Sequence, residues 1–355
     1  MATTASTRRQ FLTLLGLSAV AVSCGTATGA SSGKGQTKTL RYQGWAGQVT
    51  PPELAEDLGY LGDVKLQWVG NTISGPQDIQ SAATAQVDFG GAFNGAVVKL
   101  AANGAPLKAV ISYYGSDKYA YNGFYVLKDS PIRSARDLIG KKVGMNTLGA
   151  HSEAMLDIYL RRGGLSRAEI GKVEPLVVPP VNTEQTLRQK QIEVAVLGGI
   201  LRDKALAAGG IRSLFTDYQL LGAFSAGTYV MTDRFLKQNP DTARAFVTGV
   251  GRAIEWARST PHDEVVARMT DIVKKRGRNE DTAPLKYWRS FGVAETAGRI
   301  TDKELQLWID WLAERGDIRK GQVTLSDLYT NQFNDAGRVG AAASSAASSP
   351  STSGS

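Results

Sequence analysis

Cysteine is almost absent from this chain, with Cys24 the single example among 355 residues. One thiol cannot close an internal disulfide, so the fold must be held by packing alone. Histidine is nearly as scarce: His151 and His262 stand far apart. No HExxH, P-loop or zinc-finger spacing occurs, and the approach to a GxSxG elbow fails at Ala223, where glycine is required. Gly249-Val250-Gly251 falls inside a helical pattern rather than after a strand, so it is not a phosphate fingerprint. The usual nucleophile, metal and phosphate signatures are therefore missing. The chain is not expected to be an enzyme, and no catalytic residue, metal or cofactor is expected. Long apolar runs are lacking too. The stretch 11–22 counts twelve residues, against the roughly 20 that a membrane-spanning helix needs. The 41 lysines and arginines exceed the 33 acids but are scattered, Lys274-Lys275-Arg276 being the densest run. With no RNP or helix-turn-helix pattern beside them, nucleic acid is not an expected partner.

What is present begins with a leader. Arg8 and Arg9 directly precede the apolar stretch, an arrangement that resembles a twin-arginine export signal. Ala21-Val22-Ser23-Cys24 follows and resembles the lipobox of bacterial lipoproteins, with Ala21 in place of the usual leucine. That resemblance implies cleavage before Cys24 and a lipid on its sulfur, placing the protein on the extracytoplasmic face of the cell membrane. Losing residues 1–23 removes two arginines and no acid, which lowers the formal charge from +8 to +6. Residues 24–38 read as the lipidated cysteine and a flexible tether rich in Gly, Ala, Ser and Thr. At the far end, residues 336–355 read as a disordered tail with little apolar area to bury.

Between them, strands alternate with helices. Strand patterns at 39–43, 64–69, 87–91 and 108–112 are separated by helical patterns at 51–58, 78–85 and 96–102, and longer helices are expected at 241–258, 262–275 and 302–315. Ser74 and Gln77 have capping-box spacing. Such alternation predicts a mostly parallel sheet with helices on its faces. The chain changes character twice, at 113–123 and 221–229, where Gly and Tyr concentrate. Two crossings predict one lobe inserted into another: lobe I from 39–116 and 227–335, lobe II from 117–226, joined by a two-strand hinge.

The stretch 141–165 shows where a ligand would sit. A short strand at 142–146 runs into Thr147-Leu148-Gly149, after which Met155, Leu156, Tyr159 and Leu160 recur at helical spacing. The first turn of that helix has unpartnered N–H groups and the positive end of the dipole, a seat for an anion or polar oxygen. A second helix start, at Ser74, faces a strand end in the other lobe. Strand ends point into the cleft of doubly wound lobes, which nominates Gln43, Trp45, Ser74, Phe93 and Asn94 from lobe I. Tyr121, Thr147, Gly149 and His151 are nominated from the hinge and lobe II, with Gly198 and Gly199 forming a wall without side chains. Trp45, in a loop between glycines, reads as a pocket wall rather than core. His151, poorly placed for a cation, reads as neutral and either donates to a ligand or lies in solvent. His262 opens a helix behind Thr260 and Pro261 and reads as structural; Leu305, Trp308, Trp311 and Leu312 read as a core stripe.

The order of landmarks resembles the extracytoplasmic solute-binding proteins of ABC importers, in the group serving aliphatic sulfonates, taurine, nitrate and thiamine precursors. It is carried by residues 51–60, 74–90, Gly104-Ala105-Pro106, 134–143, Gly163-Gly164-Leu165 and 328–333. The resemblance implies an α/β fold of two doubly wound lobes joined by a two-strand hinge, the Venus-flytrap of type II periplasmic binding proteins. It also implies a monomer without catalysis that hands a small organic solute to a permease and its ATPase. Three departures stand out: Ala150 replaces the usual serine after Gly149, Ala85 replaces a glycine, and the segment after Gly59-Tyr60 is shortened. Two helix starts favour a small oxyanion, and apolar walls favour an organic sulfonate over nitrate. A thiamine-type pyrimidine or other neutral heterocycle is the alternative, and a ligand-sensing lipoprotein would carry the same pocket.

Overall fold

The computed structural model describes residues 35–337. The expected signal, Cys24, most of the tether, and the tail from residue 338 lie outside the described residues. The first half opens with β1 (Thr39–Gly44), α1 (Pro51–Asp57), β2 (Lys65–Asn71), α2 (Gly75–Ala83), β3 (Gly90–Phe93) and α3 (Asn94–Ala102). Alternation in TLRYQG buries Leu40 and Tyr42 on one face of β1. Thr50 and Glu53 close a capping box on α1, whose first turn carries the prolines that fit there. The long strand β4 (Leu107–Ser116) then carries the chain into the second half.

That half contains β5 (Asn122–Leu127), β6 (Lys142–Met145), α4 (His151–Arg162), α5 (Arg167–Ile170), β7 (Glu174–Val177), α6 (Pro180–Arg188) and β8 (Val194–Gly198). It continues through α7 (Gly199–Ala208), β9 (Ile211–Thr216) and α8 (Asp217–Leu221). The chain returns along β10 (Phe224–Thr232), followed by α9 (Asp233–Gln238), α10 (Pro240–Ser259), α11 (His262–Lys275), α12 (Asp302–Arg315) and α13 (Leu325–Leu328).

The sheets are mixed rather than mostly parallel. β1 and β2 pair in parallel, while β10 lies antiparallel between β3 and β4. The second sheet has the order β7-β6-β8-β5-β9, with β5 antiparallel to both neighbours. The exceptions are the strands beside the two crossings, where the chain enters or leaves a half against the direction of its strand–helix units. β4 and β10 pair along almost their whole lengths, forming the two-strand link between the lobes. One apolar cluster fills the first half around Phe89, Tyr229 and Phe246; another runs from Phe93 and Trp308 to Phe124 and Phe215.

Several local expectations shift. Val87-Asp88-Phe89 precede β3 rather than belonging to it, because the Asp88 carboxylate accepts from Arg41 N and Nε and draws the segment against β1. Gly91 in β3 is needed for close approach: a Cβ there would come within 2.8 Å of the Tyr113 and Tyr229 rings. Ser74 is the N-cap of α2 but makes no side-chain cap; its Oγ turns to Thr147 Oγ1 instead. Gln36 and Thr37, expected in the tether, are folded. Asn239 leaves the N-terminus of α10 without a side-chain cap, and Gln36 Oε1 accepts from Asp241 N and Thr242 N in its place. Ala336 and Gly337, expected to open the tail, continue the folded body, where Gly337 N donates to Asn334 Oδ1. Among the described residues no helix is long and apolar enough to cross a membrane.

Candidate functional site

A cavity of about 340 Å³ opens where the loops after β1, β3, β6 and β8 meet the hinge. Seven rings stand in its walls: Trp45, Phe93, Tyr113, Tyr114, Tyr121, Trp288 and Phe291. No lysine, arginine, aspartate or glutamate lines it.

The floor forms where the halves touch. Phe93 from β3 stacks on His151 from α4, with centroids 5.4 Å apart and planes 8° from parallel, and it meets Trp308 edge-on at 4.5 Å. Trp308 is fully buried, as the core stripe predicts. His151 is also buried, and its two ring nitrogens face protein groups. Nδ1 lies 3.2 Å from Asn122 Nδ2, so with the amide in this orientation it accepts. Nε2 then carries the proton and lies 3.1 Å from Asp217 Oδ2, although off the line of a good hydrogen bond. Asp217 is fully buried and also accepts from Ser116 Oγ and Asn122 N. His151 therefore offers the cavity a ring rather than a donor. Gly198 belongs to the same device: β8 pairs it with Asn122, and a Cβ on it would overlap Asn122 Oδ1.

Two walls are braced from behind. Tyr121 lies over the guanidinium of buried Arg202, 3.8 Å from its centroid, and Arg202 also donates to Tyr119 O, Tyr121 O and the Asp203 carboxylate. The Trp45 loop is held at Gly47, whose N–H donates to Glu280 Oε1. Glu280 binds Arg276, and Arg276 binds Glu53 of α1. Arg278 completes this neutral cluster through Glu53 and the Tyr42 hydroxyl, and burial is the main reason the Tyr42 pKa is pushed up.

The two helix starts at the cavity already hold acids of their own. Gly149 N donates to Glu153 Oε2 in the first turn of α4. Asp78, in the first turn of α2, accepts from Gly91 N, and burial pushes its carboxyl up to about 7. An incoming anion would find no paired cation in the cavity wall.

Residues 48–264 match the model of the family described as NMT1/THI5 like. The chain belongs to that family. Among relatives of this NMT1/THI5-like protein, the riboflavin-binding protein RibY of Chloroflexus aurantiacus is 22% identical over 303 residues, covering 81% of this chain and 82% of RibY. The periplasmic aliphatic sulphonate binding protein SsuA of Escherichia coli superposes with a TM-score of 0.63 at 18% identity, over 83% of this chain and 92% of SsuA. The desulfurization enzyme DszB superposes with a TM-score of 0.55 at 16% identity, over 84% and 97%. These likenesses establish the two-lobed periplasmic-binding-protein fold, which serves binding proteins and an enzyme alike.

Of the residues nominated from sequence, Trp45, Phe93, Tyr121, Thr147, His151, Gly198 and Gly199 line the cavity of this NMT1/THI5-like protein. Four do not. Asn94 is fully buried and turns to β10, donating to Ser225 O. Gln43 Oε1 is buried without a hydrogen-bond partner. Gly149 is exposed, its N–H taken by Glu153. Ser74 stands at the mouth, its Oγ 3.4 Å from Thr147 Oγ1 across the cleft. The sequence reading missed Tyr113, Tyr114, Asn122, Trp288 and Phe291. The Tyr-rich crossing at 113–123 was the available signal for the first three, whereas Trp288 and Phe291 arrive from a distant irregular segment. His262 is structural as expected, with Nε2 2.8 Å from Trp288 O, although Pro261 rather than Thr260 is the N-cap.

Proposed function

We propose that this protein is the substrate-binding component of an ABC importer, closing two lobes about a small, flat, uncharged heterocycle and presenting it to a permease and its ATPase. The carrying observation is the cavity wall, which has seven aromatic side chains and no charged group. A buried anion without a cation costs several kcal/mol, whereas a flat ring gains contact on both faces. The name of RibY supports this class, riboflavin being a neutral aromatic ring system. An aliphatic or aryl sulfonate is the second reading, favoured by Gly75, Pro76, Ala150 and Ser152. These belong to the starts of α2 and α4. Thermal-shift measurements on the mature protein separate the two. A ligand at a hundredfold excess over its Kd adds about 2.7 kcal/mol of stability. Flavins or pyrimidines should raise the melting temperature, and alkyl sulfonates, taurine and nitrate should not. Stabilisation by sulfonates alone overturns the proposal.

The reading includes no catalysis. His151, the one histidine lining the cavity, has both nitrogens directed at protein groups, which supports binding rather than proton transfer by this residue. It also includes a monomer anchored through Cys24 to the extracytoplasmic face of the membrane. Cys24→Ala should move the protein into the soluble fraction, and unchanged membrane retention would defeat the anchor.

A further inference from the structure

The cavity holds tyrosine hydroxyls that the protein itself leaves unused. Tyr113 and Tyr114 stand side by side on the hinge strand β4, their rings edge-on with centroids 4.9 Å apart, and both line the cavity. Neither hydroxyl has a hydrogen-bond partner among the described residues. Neither oxygen is sealed from the cavity as the orphaned buried atoms elsewhere are. This is unusual for Tyr113, of which only 8% is exposed, because buried tyrosines ordinarily pair their O–H. The rings are fixed: Tyr113 stacks on Tyr229 at 4.0 Å, in the space Gly91 leaves open. Tyr114 lies against His151, 5.9 Å between centroids. Tyr229 occupies the same stack, but its hydroxyl oxygen lies beside the Thr50 side chain.

Resting on the heterocycle reading above, we propose that Tyr113 and Tyr114 are specificity-determining residues. Their hydroxyls donate to carbonyl oxygens on one edge of the ligand ring while the aromatic wall takes its faces. Burial raises both phenol pKa values, so the groups remain donors throughout the physiological range. A site built this way selects for an oxygen-bearing ring edge and disfavours a ring of the same shape without that edge, since the latter leaves two desolvated hydroxyls unpaired.

Calorimetric titration of wild type, Tyr113→Phe and Tyr114→Phe with two tricyclic probes tests the assignment. Lumichrome carries a dione edge; phenazine has the same flat outline without it. Wild type should bind lumichrome more tightly than phenazine. Each substitution, which keeps the ring packing, should weaken lumichrome about 3- to 10-fold and leave phenazine unchanged. Equal losses for both probes, or no loss for either, would show that the hydroxyls do not read the edge. Binding of neither probe by the wild-type protein would overturn the heterocycle reading, and this assignment with it.

Discussion

At the scale of single residues, the positions that break local rules explain themselves through their neighbours. Ala85 has φ +58°, a conformation that costs an L-residue about 1–2 kcal/mol. It is exposed, so Ala85→Gly should gain stability of the order of 0.5–1 kcal/mol after the added entropy of the unfolded chain is subtracted. Urea denaturation checks this, and a loss would show that the methyl packs. Asp78 offers a pH test. Its carboxyl ordinarily titrates near 3.8, while burial, opposed by the Gly91 hydrogen bond, raises it to about 7 in the fold. Between those values the native state binds more protons than the unfolded chain. This group's contribution is therefore fully present below pH 4 and is lost as pH rises through 7. Asp78→Asn removes that slope. Relative to wild type, the variant should be more stable at pH 8 than at pH 5 by several kcal/mol, at about 1.4 kcal/mol per unit. A difference independent of pH would mean that Asp78 is ionised in the native protein.

At the scale of elements, helices with strong punctuation were legible from the sequence alone. α11 and α12 fall at the expected residues, because Pro261, Thr301 and Gly316 bracket continuous apolar stripes. β3 was harder. Its glycines give no period, and its placement depends on Asp88 reaching Arg41 and on rings from β4 and β10. The cavity was legible where loops follow strands, as at Trp45 and Phe93, and illegible where the 285–291 segment arrives from far along the chain. The Trp45 loop supplies the prediction at this scale. Its hold is Gly47 N on Glu280, Glu280 on Arg276, and Arg276 on Glu53. Glu280→Ala breaks the first two links and leaves Arg276 short of a partner in a buried place. Ligand affinity should fall severalfold, with quenching of tryptophan fluorescence by ligand reduced. Unchanged affinity would show that the loop is held without Glu280.

At the scale of the whole molecule, the two-lobed fold followed from alternating elements and two crossings, while helix starts alone do not choose the ligand class. An N-terminus aimed at a cleft invites an anion only when its own side chains leave it free. Here Glu153 takes the N–H of Gly149, just before α4, while Asp78 turns from the first turn of α2 to Gly91 N in β3. Such pairings across a turn depend on rotamers, which sequence spacing does not reveal. The central claim is that the cleft holds an uncharged flat ring. The most direct test is the calorimetric affinity of the mature protein for a matched pair, one flat heterocycle and the same heterocycle bearing a sulfonate. The account predicts that the neutral compound binds at least tenfold more tightly, a difference of about 1.4 kcal/mol or more. Tighter binding of the sulfonated partner would contradict it.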